Sequence, residues 1–180
     1  MIYDTITINM IGEHQSLAKQ QNGFTIVELL IVIIIIGLLS SLVLVAYTGI
    51  QARAKDADIQ ADLRGMVTKL ESFYIDYGRY PISTGELITA GLKATKSAYL
   101  ATGNNLLYCR DVAAGSNYAI VGASGSGTKY SVSGQTKSVT TYSGTFPGVS
   151  QTVVCPSFGL DSSGNSWGLN GGTWVTWVGG

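Results

Sequence analysis

Hydrophobic and polar positions divide the chain before any single residue is considered. Residues 1–23, MIYDTITINMIGEHQSLAKQQNG, mix polar and apolar side chains and hold no unbroken apolar run of the kind a secretory signal peptide carries ahead of its cleavage site. The pattern switches abruptly at Phe24. Residues 24–46, FTIVELLIVIIIIGLLSSLVLVA, are apolar apart from a few small polar side chains and one charge, Glu28. At about 1.5 Å per residue this run makes a helix of about 34 Å, enough to cross a hydrocarbon core of roughly 30 Å once. Over residues 47–77 the helix pattern continues in amphipathic form. Ile59, Leu63, Met66, Leu70, Phe73 and Tyr77 recur at alternating steps of four and three, while Arg53, Lys55, Asp56, Asp58, Asp62, Arg64, Lys69 and Glu71 fill the other side. Gly78 stands where a helix C-terminus takes a left-handed residue, and Pro81 follows. One helix from Phe24 to Tyr77, about 80 Å long, is expected. Gly37, Gly49 and Gly65 lie inside it as soft points, each costing about 1 kcal/mol relative to alanine.

Residues 78–96 read as a connection, and from residue 97 the helical period gives way to period two. Most of the 23 glycines fall between 97 and 180, where the only charges are Arg110, Asp111, Lys129, Lys137 and Asp161. Segments 106–111, 117–123, 128–133, 137–143 and 151–155 are rich in β-branched and aromatic residues and are separated by Gly, Ser and Pro signals. They predict an antiparallel sheet of three to five strands. TWVTWV near the end reads as a last strand with Trp174 and Trp177 on opposite faces, where they serve packing. The fold class is α+β: a long N-terminal helix whose amphipathic half packs on a C-terminal antiparallel head.

Composition narrows the chemistry. With 11 basic and 11 acidic residues and no basic run, nothing indicates direct nucleic-acid binding. Cys109 and Cys155 match neither a redox CxxC nor a four-ligand zinc pattern. A single disulfide is the economical reading and implies an oxidising, exported compartment; two buried free thiols are the other. GASGSG at 122–127 lacks the Lys-Ser/Thr and helix of a P-loop and reads as a turn. Asp161 and Asn165, in Asp-Ser-Ser-Gly-Asn, place oxygen ligands in a tight loop where calcium is one reading and a plain turn the better one. No cofactor is expected.

The junction Gly23-Phe24-Thr25-Ile26-Val27-Glu28-Leu29-Leu30 resembles the class III leader of type IV prepilins: a short polar leader ending in glycine, then an apolar helix opening with phenylalanine and carrying glutamate four residues later. The resemblance covers residues 17–81, including SFYIDYGRYP at 72–81, which is similar to the link between helix and head in pilins and in pseudopilins of type II secretion. It implies cleavage by a prepilin peptidase between Gly23 and Phe24 and N-methylation of Phe24. It also implies that Glu28, costly in an apolar span, pairs with the α-amino group of Phe24 of its own or a neighbouring subunit and sets the register of assembly. Gly37 matches a glycine common in such anchors. Many Gram-negative pilins carry a proline where this chain has Val45, which leaves Gly37, Ser40 and Ser41 as the points of helix softening.

The implied organisation is a leader at 1–23, an anchor and filament-core helix at 24–46, its amphipathic continuation at 47–77, a connecting loop at 78–96 and a Gly-rich β head at 97–180. The only histidine, His14, falls in the leader, so the processed chain would lack Ser-His-Asp and Cys-His catalysis. The function implied is that of a structural subunit, a major pilin, polymerising with itself into a helical filament for motility, adhesion or DNA uptake. Its partners would be the prepilin peptidase, an assembly platform protein and ATPase, the cytoplasmic membrane that holds the single-pass precursor before assembly at the cell surface, and minor pilins. The alternatives are a type II secretion pseudopilin or minor pilin and, from a different class, a membrane-anchored ectodomain or enzyme.

Overall fold

The computed structural model describes residues 23–148, 151–170 and 173–179. The expected leader lies outside the described residues except for Gly23. Chain contacts divide the molecule into Met1–Leu42 and Val43–Gly180.

In the first unit the described structure is the opening of helix α1, Ile26–Tyr77. The helix starts two residues later than the apolar run, so Phe24 stands outside it. The reason is local. Thr25 donates its backbone N–H and its hydroxyl to Glu28 Oε2, both at 2.9 Å, and its Oγ1 accepts the Glu28 N–H at 3.2 Å. This reciprocal capping box satisfies helix-start donors that have no carbonyl partner a turn earlier. Helical structure continues through Gly37. Ser40 and Ser41 donate their hydroxyls to the carbonyls of Ile36 (2.7 Å) and Leu38 (2.8 Å), which removes their polarity from an apolar surrounding.

The second unit is built on the amphipathic stripe. Ile59, Leu63, Met66, Leu70 and Phe73 are buried. Tyr77, expected to close the stripe, is instead 57% exposed, its ring stacked on Phe73 at 4.2 Å. Gly78 ends the helix at φ +72 and donates its N–H to the Tyr74 carbonyl at 2.8 Å, a conformation that a Cβ would strain. The expected connecting segment contains a second helix, α2, Thr84–Ala90. Ser83 caps it by accepting the Glu86 N–H, Gly91 closes it in the left-handed region, and Leu87 enters the core.

Glu86 also ties α2 to the end of α1. Arg79 grips it with both guanidinium nitrogens at 2.8 Å, and the Ile82 N–H donates to Oε2 at 2.8 Å. The Arg79 hydrogen bonds, with that N–H and against partial burial, hold the Glu86 carboxyl at about 2, below its ordinary 4.5. A depressed folded-state value contributes stability above the ordinary value and loses it as pH falls through the folded one. Wild type should therefore melt above Glu86→Gln at neutral pH, with the gap closing between pH 4.5 and about 2. Thermal melts of the detergent-solubilised chain across that range check this. A gap that persisted at pH 2 would contradict it.

The head is a five-stranded antiparallel sheet formed by β1 (Leu106–Arg110), β2 (Tyr118–Ala123), β3 (Lys129–Ser133), β4 (Thr140–Thr141) and β5 (Asn165–Trp167), in the order β4-β3-β2-β1-β5. Tyr108 lies opposite Ile120, and Ile120 opposite Val132. Alternation along these strands makes two cores. On the first face Leu106, Tyr108, Tyr118, Ile120, Tyr130 and Val132 pack with the α1 stripe, Leu87 and Trp177. Gly122 sits where Tyr99 and Ile59 come close, and an added Cβ would meet the Tyr99 ring at 3.2 Å. On the second face Leu107, Cys109, Ala119, Val121 and Ala123 pack with Phe146, Val154, Cys155 and Leu160.

Three sequence expectations need correction here. Segment 137–143 supplies only the two residues of β4. Segment 151–155 is no strand: Gln151–Val154 form a short helix, α3, followed by a 3-10 turn at Cys155–Phe158. Pro156 has no N–H for a ladder, and the burial gained by laying Val154 on the second face outweighs the β preference of its neighbours. TWVTWV contributes only Thr173–Trp174 (β7), paired with Leu169–Asn170 (β6) in a separate two-stranded sheet. The chain then turns, so Trp177 and Trp174 belong to the same first core rather than to opposite faces. Trp177 donates its indole N–H to the Trp167 carbonyl at 2.7 Å.

Candidate assembly site

The residues singled out at the amino-terminal junction sit together. Gly23 has open space around it, and a Cβ there would meet no atom within 4 Å. Phe24 follows at 86% exposure, outside the helix, and Glu28 is one turn away with its carboxylate turned back to Thr25. The junction is thus an exposed, uncrowded dipeptide outside and ahead of a capped helix. Thr25 was missed as a member of this group, although Thr-x-x-Glu immediately before an apolar run is a capping-box spacing.

Beyond the junction α1 presents Ile26, Val27, Leu29, Leu30 and the isoleucines 31 and 33–36 at about half exposure or more. Side chains of this kind are tolerated in lipid or against other apolar surfaces, not in water. The helix is long and apolar enough to cross a membrane.

The other candidate residues are placed elsewhere. Cys109 in β1 and Cys155 are joined by a disulfide with Cα atoms 5.4 Å apart, closing the alternative of free thiols. Both are fully buried in the second core. Asp161 accepts the Val112 N–H at 3.4 Å, and Asn165 donates its side-chain amide to the Ser162 carbonyl at 3.3 Å, so both are engaged in the turn that leads into β5. Among the described residues no group of three His, Cys, Asp or Glu side chains is placed to share a metal. GASGSG forms the β2–β3 turn, with Ser124 donating its N–H to the Thr128 carbonyl at 2.8 Å.

Comparison with known proteins bears on the junction. Residues 18–44 match the prokaryotic N-terminal methylation motif. The chain is 30% identical over 80 residues to the type IV major pilin protein PilA of Myxococcus xanthus, covering 44% of this chain and 36% of that protein. It is 36% identical over 77 residues to the type IV wide pilus major component PilA4 of Thermus thermophilus, covering 43% and 59%. The N-terminal segment of this chain is similar to that of type IV pilins. The helix packed on an antiparallel sheet is the matching α+β, pilin-like fold. A third similarity is to the type II secretion system core protein G of Klebsiella pneumoniae, 34% identical over 80 residues, 44% of this chain and 54% of that protein. The chain spans between 36% and 59% of the length of these relatives.

Proposed function

We propose that this chain is a structural subunit, the major pilin, of a type IV pilus rather than an enzyme. The observation that carries the reading is a continuous apolar helix surface, exposed on every side, opening directly after the Gly23-Phe24 junction. In the cytoplasmic membrane that surface is solvated by lipid. On leaving the membrane it needs an equivalent surrounding, which sister helices of a helical homopolymer supply. In this account residues 1–23 are a leader removed by a prepilin peptidase, and Phe24 becomes the N-methylated first residue. Residues 24–46 anchor the precursor and then form the filament core, with Gly37 as its soft point, and 47–77 continue the helix towards the head. Glu28 pairs with an α-amino group of Phe24. A platform protein and ATPase extract the subunit and minor pilins join it at the surface, where the fibre serves motility, adhesion or DNA uptake.

The similarity to a type II secretion core protein favours one second reading, a pseudopilin. Abundance separates the two, because a major pilin dominates sheared surface fibres. The test of processing is the intact mass and N-terminal sequence of the chain purified from its own cells. The expected result is a start at Phe24 bearing one added methyl group. A start at Met1 would overturn the proposal.

A further inference from the structure

The segment that covers the second sheet face leaves β3 partly open, and the opening is a cleft of about 270 Å³. Ser131 and Ser133 of β3 line it together with Gln135, Thr140, Ser157 and Phe158. Strand alternation sends these serines to the second face while Tyr130 and Val132 enter the first core. Ser131 is only 5% exposed, yet its hydroxyl has no hydrogen-bond partner among the described residues and opens on the cleft. It is therefore free to donate to and accept from a group that enters the cleft. Ser133 and Thr136 share a hydroxyl contact at 3.2 Å, and Ser157 donates to the Val154 carbonyl at 2.6 Å, which leaves its oxygen able to accept. Phe158 adds an aromatic wall, braced by the Tyr142 ring stacked on it at 5.8 Å.

The lining selects the ligand's chemistry. Hydroxyls and an amide both donate and accept, so the ligand must do the same. No ionisable side chain lines the cleft. A second hollow of about 360 Å³ shares Gln135 with it and adds Asn117 and two carboxylates, Asp111 and Asp161. No lysine or arginine lines either hollow, so a phosphate or sulfate finds no counter-charge and meets two aspartates, while an apolar ligand leaves the hydroxyls unpaired. A pyranose ring meets every condition, with hydroxyls at its rim and an apolar C–H face for Phe158.

We propose that this cleft binds an unbranched neutral oligosaccharide, one ring over the β3 serines against Phe158 and the next reaching the Asn117 hollow across Gln135. Calorimetric titration of the full chain in detergent micelles tests this, with cellotetraose, maltotetraose and chitotetraose as neutral probes and tetragalacturonate as the charged one. Micellar chains need not assemble, so the result is independent of filament formation. At least one neutral tetrasaccharide should bind in the submillimolar range, tetragalacturonate about tenfold more weakly or not at all, and Ser131→Ala should weaken binding about fivefold at unchanged melting temperature. If Ser131→Ala melts early, Gln135→Ala, at an exposed position, carries the same expectation. Absence of binding by all three neutral probes, equal binding of tetragalacturonate, or unchanged affinity in the variant that keeps its melting temperature would overturn the proposal.

Discussion

Serine at both Cys109 and Cys155 should lower the unfolding free energy of the head by about 4 kcal/mol. The sulfurs join positions 46 residues apart, and closing a loop of that size removes conformational entropy from the unfolded chain worth about that much. Domains of this kind are held by only about 5–15 kcal/mol, so the loss is a large share of the whole. It also falls on one face. Cys109 lies in β1 and Cys155 in the segment whose Phe146, Val154 and Leu160 cover the second core, so the bond pins the cover to the sheet. Thermal unfolding of the detergent-solubilised chain should drop by about 10 °C or more in the double variant. Reductant should bring wild type towards the variant and leave the variant unchanged. If the variant melted within a degree or two of wild type, the cover would be held by packing alone.

Local rules made some of this fold legible from residues. The stripe from Ile59 to Phe73 is a 3.6-residue period uninterrupted by a charge, and it is buried at each position. Strands β1, β2 and β3 combine β-branched and aromatic residues with turn signals at both ends, and they pair as neighbours. Helix α2 also carried its signals, with Ser83 and Glu86 at capping distance and Gly91 past its end, but seven residues show too little periodicity to stand out. The segment after residue 150 could not be read locally. Gln-Thr-Val-Val-Cys has strand composition, and it is helical because Val154 and Cys155 have a sheet face to cover and a partner sulfur to reach. The same holds for β5, whose pairing with β1 joins Trp167 to Leu107 across 60 residues of chain.

The assembly site divides in the same manner. Gly23, Phe24 and Glu28 stand out because the signal is contiguous, a polar stretch broken by glycine and an apolar helix with one acid. The structural role of Thr25 was readable from its spacing to Glu28. The serine-lined cleft was not, since alternation puts Ser131 and Ser133 on one face but says nothing of how far the cover extends across it. A helix start that caps itself serves both stages of the proposed life of this chain. It keeps the Gly23-Phe24 bond outside the helix, and it leaves the carboxylate of Glu28 at the helix end, one turn from Phe24.

Glu28→Ala should reduce surface filament about tenfold or more, and Glu28→Gln decides why. Glutamate does two separable things at this position. Its Oε2 accepts two hydrogen bonds from Thr25, a capping function that glutamine reproduces because its amide oxygen accepts in the same geometry. Its negative charge, the attribute that the proposed pairing with the α-amino group of Phe24 requires, is lost with glutamine. A role confined to capping predicts that Glu28→Gln assembles like wild type and only Glu28→Ala fails. Register set by charge pairing predicts that both fail to a similar degree while cleavage after Gly23 and the folded head are retained. The measurement is filament recovered by shearing, with N-terminal sequencing and the Cys109–Cys155 disulfide content of the membrane pool as controls. Wild-type yield from Glu28→Gln would remove the charge pair from the account. Equal loss from both variants would place the carboxylate's charge, not its hydrogen bonds to Thr25, at the step where one subunit joins the next.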